Sequence, residues 1–287
     1  MTIQVYQTIA ALQAHLAPLR ALGKIAFVPT MGALHAGHLA LMQQAVDLAH
    51  HVVVSIFVNP AQFAPTEDFN AYPRNLADDV QKIADLNLKN ISVFAPDVSE
   101  IYPDHAQDAA PPIILGEIAQ RWEGEARPTH FAGVARVVHR LFAITQPDVA
   151  IFGEKDFQQL QVIHHLVRTL SLPIQVIVVE IVREATGLAL SSRNIYLGEG
   201  QRNQIAPQLL KTLVAASAAI RGGGHPASVV AAARDKLMTT GFHQVDYIAY
   251  VDSQTLAPLA ELSDQPSRLL VAAWLGKTRL IDNIKVT

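Results

Sequence analysis

Cysteine is absent from all 287 residues, so the chain can build no disulfide framework, thiolate nucleophile or cysteine-bound zinc. Charge of either sign is not in excess: 22 Lys and Arg stand against 25 Asp and Glu, a formal net charge of -3. No basic field draws the chain to nucleic acid or to an anionic membrane, and any phosphate must be gripped locally. Long apolar runs are missing as well. Ile174 to Val182, one of the most apolar windows, is bounded by Pro173 and Arg183 and is too short to cross a bilayer. Met1 to Gln13 lacks a cationic stretch leading into an apolar signal core, so the expectation is a cytoplasmic protein without a membrane partner.

What is present is globular material, half hydrophobic and 16% charged. The length favours one larger domain with a smaller one. Lys24 to Thr30 reads as a buried strand ending in a turn, and His38 to His51 places apolar residues at helical spacing. Val52 to Val58 is a second β-branched run, followed by a helix near Asn75 to Leu88 and a strand at Ile91 to Phe94. A stretch with Pro96, Pro103, Pro111 and Pro112 precedes a helical pattern at Val134 to Ile144, a strand at Asp148 to Phe152, a helix at Asp156 to Leu170 and a strand at Ile174 to Val179. Repeated strand and helix units imply an α/β fold with a doubly wound, Rossmann-like parallel sheet over residues 1–182, binding ligands at the carboxyl ends of its strands. Residues 183–287 read as a smaller α+β domain: a helix at Gln201 to Arg221, a Gly222-Gly223-Gly224 break, a second helix to about Thr240, and β-type runs at Val245 to Val251 and Arg268 to Leu275. The triple glycine lacks the Lys-Ser/Thr ending of a phosphate loop and reads as a flexible connector.

Four polar clusters stand where such a fold would place chemistry. In Pro29 to His38 (PTMGALHAGH), Gly32 permits a tight turn, Gly37 permits close approach at a helix start, and His35 and His38 share one side of a helical turn. There they could donate to phosphate oxygens above exposed backbone N–H groups. Phe152 to Gln159 (FGEKDFQQ) follows another strand: Gly153 frees the backbone, Lys155 offers a mobile cation, and Asp156 could cap a helix or hold a ribose or a metal-bound water. Leu190 to Asn194 (LSSRN) joins two hydroxyls to a guanidinium, and Asn59 to Phe63 offers amides able to orient a hydroxy acid without charge. Read singly, each cluster is also a satisfactory surface loop or capped helix. No third ligand of convincing spacing supports zinc at the histidines.

Taken in order, PTMGALHAGH, SIFVNPAQF, YPR, FGEKDFQQ and LSSRN resemble the motif set of the pantothenate synthetase family, and the likeness continues through VAAWLG and TRLIDN. The H-x-G-H element alone marks only the wider nucleotidyltransferase superfamily. The resemblance implies an ATP-dependent ligase that joins (R)-pantoate to β-alanine through pantoyl adenylate, releasing AMP and pyrophosphate with Mg2+, as a homodimer whose smaller domain is a lid. It implies an ATP site formed by Met31, Gly32, Ala33, Leu34, His35, Ala36, Gly37, His38, Gly153, Glu154, Lys155, Asp156, Val182, Leu190, Ser191, Ser192 and Arg193. Of these His38, His35, Lys155, Ser191, Ser192 and Arg193 would act on the phosphates, with His38 the acid that assists pyrophosphate departure. Gln62, Gln159, Pro29, Met31, Asn59, Val134 and Val137 would hold pantoate, and Gln62 would also face β-alanine. Metal ligands are not assigned by this pattern; Asp78, Asp79 and Asp156 are candidates. Thr129 and Arg136 stand where the family commonly has Gly and Thr. Two rivals remain at this stage, an enzyme moving AMP or CMP onto a phosphorylated acceptor and a non-catalytic nucleotide-binding regulator. The first would want cations where Gln62 and Gln159 offer amides.

Overall fold

A computed structural model describes residues 3–64, 69–103 and 113–287, so Pro111 and Pro112 of the proline-rich stretch lie outside the described residues. The chain divides into two compact units: Met1–Gly116, Arg127–Glu154 and Val162–Glu180 in the first, and Glu117–Ala126, Lys155–Gln161 and Ile181–Thr287 in the second. Two short segments from within residues 1–182, one of them carrying Lys155, Asp156 and Gln159, thus fall with the C-terminal unit.

The first unit is a six-stranded parallel sheet with helices. Its strands are β1 (Gln4–Tyr6), β2 (Ile25–Thr30), β3 (His51–Ile56), β4 (Ile91–Phe94), β5 (Val149–Gly153) and β6 (Gln175–Val179), in the order β1-β4-β3-β2-β5-β6. Beginning at β2, the chain winds outward through β3 and β4 and later returns to add β5 and β6 on the other side. The switch point therefore lies between β2 and β5, where such sheets open a crevice at their carboxyl ends. The ladder agrees: β2 pairs with β5 only at Ala26 and Phe27, although both strands continue for several residues. Pro29, which has no N–H to give, sits in the part of β2 beyond that pairing.

Both faces of the sheet are covered, so its central strands read as continuous apolar runs. Ala26, Val28, Val52, Val54 and Ile151 pack in one core cluster with Leu41, Met42 and Ala45 of α2 (Ala36–Val46). Two single-turn helices, α4 (Val98–Ile101) and α5 (Glu123–Ala126), precede the long α6 (His130–Thr145) in the chain, and Phe27 meets Phe142 of α6 edge-on, with centroids 6.1 Å apart. The strand β1 and the helix α1 (Ile9–Leu19) were not expected from the sequence. Thr8 caps α1 by accepting from the Ala11 N–H at 3.3 Å, and Leu12 and Leu16, four apart, are buried beneath it. The second helix also departs from expectation: it ends at Val46, and His51 opens β3 rather than closing the helix.

The second unit packs α8 (Gln208–Arg221) and α9 (Pro226–Thr239) on an antiparallel sheet of β7 (Gln244–Asp252), β8 (Ser267–Leu275) and β9 (Thr278–Lys285). The expected helix from Gln201 is shorter, because Pro207 cannot continue the ladder; Gln201–Ile205 forms one wide turn before α8 begins. The triple glycine is a hydrogen-bonded helix stop rather than a loose connector. Gly223, at φ +89°, donates to Ile220 O at 3.0 Å, and Gly224 donates to Ala219 O at 2.9 Å. Those two bonds are the Schellman arrangement. Among the described residues no helix is long and apolar enough to cross a membrane.

Candidate active site

The turn from β2 into α2 carries the histidines at the switch point. His35 caps α2: its Nδ1 accepts from the Gly37 N–H at 3.2 Å, while His38 Nδ1 accepts from the His35 N–H at 3.3 Å. The rings lie against each other, with centroids 4.0 Å apart. A ring nitrogen that accepts a hydrogen bond carries no proton, so each neutral imidazole bears its hydrogen on Nε2. Both side chains are half-buried and are set as donors at the far ring edge.

Several of the backbone N–H groups beneath these histidines are already engaged within the turn. Gly32 N–H donates to Thr30 Oγ1 at 3.2 Å, Ala33 N–H to Asp79 Oδ2 at 2.9 Å, and Leu34 N–H to Asp79 Oδ1 at 2.7 Å. With those of His35 and Gly37, five amides are thus committed to the protein's own acceptors, and the two imidazoles stand beside them at the helix start. Asp79 comes from α3 (Leu76–Asp85) and is 1% exposed. Burial raises its carboxyl pKa above the ordinary value, and the Leu34 and Ala33 amides and Lys82 pull it back. Both Asp79 oxygens accept from the turn, while Asp78 pairs with Lys82 at 2.7 Å. One signal for Asp79 is visible in the sequence: it falls with Leu76, Val80 and Ile83 on the apolar face of its helix, where a charge needs a partner.

Beyond β3, the amide cluster forms a connected network. Buried Asn59 donates to Gln62 Oε1 at 3.3 Å and to Gly133 O at 3.2 Å, and accepts from the Tyr102 hydroxyl at 2.9 Å. Gln62 Nε2 donates to the Met31 sulfur, and Gln62 O is held by His130 Nδ1 at 2.9 Å. The structure therefore brings Met31, Asn59 and Gln62 together. The Gly133 carbonyl ties them to α6, where Val134 and Val137 are buried. Gly133 leaves room for that approach: a Cβ there would lie 2.1 Å from Ala61 O. Burial pushes the Tyr102 phenol up to about 12, against the opposing pull of Arg136 and Arg140. Sequence reasoning missed Tyr102 and Gly133, which lie far along the chain from Asn59 and match no local pattern. Thr129, at the exposed start of α6, makes no side-chain cap bond. Gly153, at the end of β5, would place a Cβ 3.9 Å from Leu41 of α2; Glu154 follows it.

In the second unit, Lys155 and Asp156 pair at 3.7 Å ahead of α7 (Phe157–Thr169). Lys155 O accepts from Asn283 Nδ2 at 3.0 Å, and the Arg268 guanidinium lies 4.0 Å over the Phe157 ring. Gln158 is buried and structural, bonding Ile118 O at 2.9 Å, Arg121 O at 2.8 Å and the Glu123 N–H at 3.1 Å, whereas its neighbour Gln159 is half-buried. Val182 and Leu190 meet through the Leu190 N–H to Val182 O bond at 3.0 Å. Ser191 Oγ accepts from the Arg193 N–H at 3.3 Å, which shapes the Ser192–Arg193 turn. Nearby Arg183 grips Asp282 with two bonds of 2.7 and 2.8 Å.

The chain as a whole has counterparts in known proteins of one family. A family model described as pantoate-beta-alanine ligase matches residues 4–285. The chain belongs to that family. Its relatives include the pantothenate synthetase of Rhizorhabdus wittichii, 47% identical over 285 residues with 99% of each chain covered. That of Nitrobacter winogradskyi is 48% identical, with 98% of each covered. Among solved structures, pantothenate synthetase from Thermus thermophilus superposes with a TM-score of 0.89 at 41% identity, covering 99% of both chains. Pantoate-beta-alanine ligase from Francisella tularensis, solved in complex with beta-gamma ATP and beta-alanine, gives 0.77 at 33% identity, covering 99% of this chain and 98% of that one. As a pantoate–β-alanine ligase the chain is an enzyme that forms a carbon–nitrogen bond.

Proposed function

We propose that the chain condenses (R)-pantoate with β-alanine in two steps through an adenylate. In the first, a pantoate carboxylate oxygen bonds to the α-phosphorus of ATP while the bond to the β-phosphate bridge breaks and pyrophosphate leaves. In the second, the β-alanine amine attacks the acyl carbon, the carbon–oxygen bond to AMP breaks, and the amine loses a proton. The observation that carries this reading is the pair of Nδ1 acceptors that leaves Nε2–H donors on His35 and His38 at the switch point. His38 assists pyrophosphate departure and His35 stands beside it; Lys155, Ser191, Ser192 and Arg193 offset phosphate charge, with Met31 to His38, Gly153, Glu154, Asp156, Val182 and Leu190 lining the nucleotide. Gln62 and Gln159, with Pro29, Met31, Asn59, Val134 and Val137, hold pantoate without adding charge. The Francisella complex supports ATP and β-alanine as the other substrates. No protein nucleophile is required, in keeping with the lack of cysteine.

Among the described residues no three His, Cys, Asp or Glu side chains converge to hold a metal. Magnesium is read as held largely by the nucleotide's phosphates and water. A homodimer, a cytoplasmic location and a lid role for the C-terminal unit belong to the same proposal. Light scattering tests the first, cell fractionation the second, and ATP-dependent protection of Arg193 from trypsin the third. The two-step order is tested by exchange of labelled pyrophosphate into ATP with pantoate and magnesium present and β-alanine absent. Exchange is expected; strict dependence on β-alanine would overturn the order, and ADP as product would overturn the adenylate.

A further inference from the structure

We propose that Asp79 is a positioning residue for the two histidines: its carboxylate fills the anion nest of the Gly32-Ala33-Leu34 turn and so fixes the path on which His35 and His38 leave β2. Successive N–H groups around left-handed residues form a concavity suited to an anion. Here Gly32 has φ +79° and Ala33 φ +50°, and the anion bound is internal, with Oδ2 2.9 Å from the Ala33 nitrogen and Oδ1 2.7 Å from that of Leu34. Ala33 is the telling residue. A side chain in the left-handed region is disfavoured, and alanine has no polar group to stabilise itself there, so the conformation needs an outside hold. Asp79 supplies it from α3, and Lys82, three residues on and hence on the same helix side, donates to Leu34 O at 3.0 Å. Residue 32 must be glycine for space as well as for φ, since a Cβ there would lie 2.9 Å from Asp79 Oδ2. The next amide in the chain, that of His35, already belongs to His38 Nδ1. The carboxylate thus stands one residue from the bond that fixes the His38 tautomer.

This inference rests on the reading of His35 and His38 as phosphate donors, and its test separates the two. Asp79→Asn keeps the shape but can accept at only one of its two terminal atoms and turns an N–H2 toward an N–H. In the full-length enzyme, pyrophosphate release is expected to fall about 10- to 100-fold, the scale of a lost charge-assisted hydrogen bond. Long-range 1H–15N spectra of the imidazoles, which need no turnover, should show His38 leaving the pure Nε2–H form. Adding Ala33→Gly to Asp79→Asn removes the cost of the left-handed conformation and should recover several-fold of the lost rate together with the native tautomer signal. A merely structural role for Asp79 would lower stability without moving the tautomer signal. Lys82→Met, which retains Asp79, should give a few-fold loss with the same spectral direction and serves if Asp79→Asn does not fold. Native tautomer signals in a folded Asp79→Asn enzyme, or no recovery in the double variant, would overturn the proposal. Retained pyrophosphate release in His38→Ala would instead overturn the histidine reading, leaving the spectra to decide on Asp79.

Discussion

Gly133→Ala pits two magnitudes against each other. In a helix interior alanine is favoured over glycine by about 1 kcal/mol, and Gly133 lies in α6 at an ordinary helical φ, so propensity alone predicts stabilisation. Space predicts the reverse. The added Cβ would stand 2.1 Å from Ala61 O, 2.5 Å from Ala61 C and 2.8 Å from Gln62 Cα, all backbone atoms that cannot rotate away. Relief requires α6 or the Asn59–Gln62 segment to move by an ångström or more. That strains the Asn59 bond to Gly133 O at 3.2 Å and the His130 bond to Gln62 O at 2.9 Å. Overpacking of this kind costs roughly 1–3 kcal/mol and exceeds the propensity gain. The net expectation is a Tm lower by several degrees and a KM for pantoate raised about tenfold or more, since a displaced Gln62 no longer presents its amide. Thermal unfolding and steady-state kinetics with pantoate varied provide the assay. Gly200→Ala is the control, because nothing lies within 4 Å of its added Cβ. A Gly133→Ala enzyme as stable as the parent with unchanged pantoate kinetics would refute the argument that close backbone approach sets this pocket.

Lys155→Ala should fold normally, because the half-buried side chain makes one long surface ion pair and the Asn283 bond is to its backbone carbonyl. Adenylate formation should nevertheless fall by about two to three orders of magnitude, read as pyrophosphate exchange; near-native exchange would remove Lys155 from the phosphate site. At the opposite, amino-terminal end of the sheet, burial first, then His15 and His50, lowers His51 from 6.5 to about 4. The unfolded chain therefore takes up a proton that the folded one refuses, and stability is lost as pH falls from about 6.5 to 4, by up to about 3 kcal/mol. Denaturant melts of His51→Gln, whose amide could still meet Ser92, should show a flatter dependence across that window; an unchanged slope would mean His51 is protonated in the fold.

The sheet was legible because its central strands are covered on both faces and so read as unbroken apolar runs, as in Lys24 to Thr30 and Val52 to Val58. Among the strands, what escaped was either very short or charged. β1 has three residues, too few for a period, and β9 carries Arg279 and Asp282, which looked unlike strand residues until their partners were seen. Arg279 bonds Glu123 and Asp246 at 2.7 Å each, and Asp282 holds Arg183. The histidine and amide clusters were visible as motifs because each follows a strand within a few residues. Their supports were not, since Asp79, Tyr102 and Gly133 reach them across 45, 43 and 74 positions of chain.

Those supports have a common chemistry. Asp79 holds the turn that bears the histidines, Asn283 holds the backbone at Lys155, Asp282 holds Arg183 beside the Val182–Leu190 pair, and Glu123 is gripped by Arg279 beside the segment Gln158 anchors. Buried charges are poor sources of stability, because desolvation consumes most of what the pairing returns. A chain selected for stability alone would place apolar residues at such positions. Here the buried carboxylates and amides cluster instead on the segments that carry the proposed site, each satisfying backbone donors or a guanidinium with short bonds. In the first turn this has a specific result: the amides of Gly32, Ala33, Leu34, His35 and Gly37 are committed internally. On the proposed reading, binding of the triphosphate there draws on side chains that can move or change protonation, as an enzyme needs where the charge on the departing group changes during the reaction.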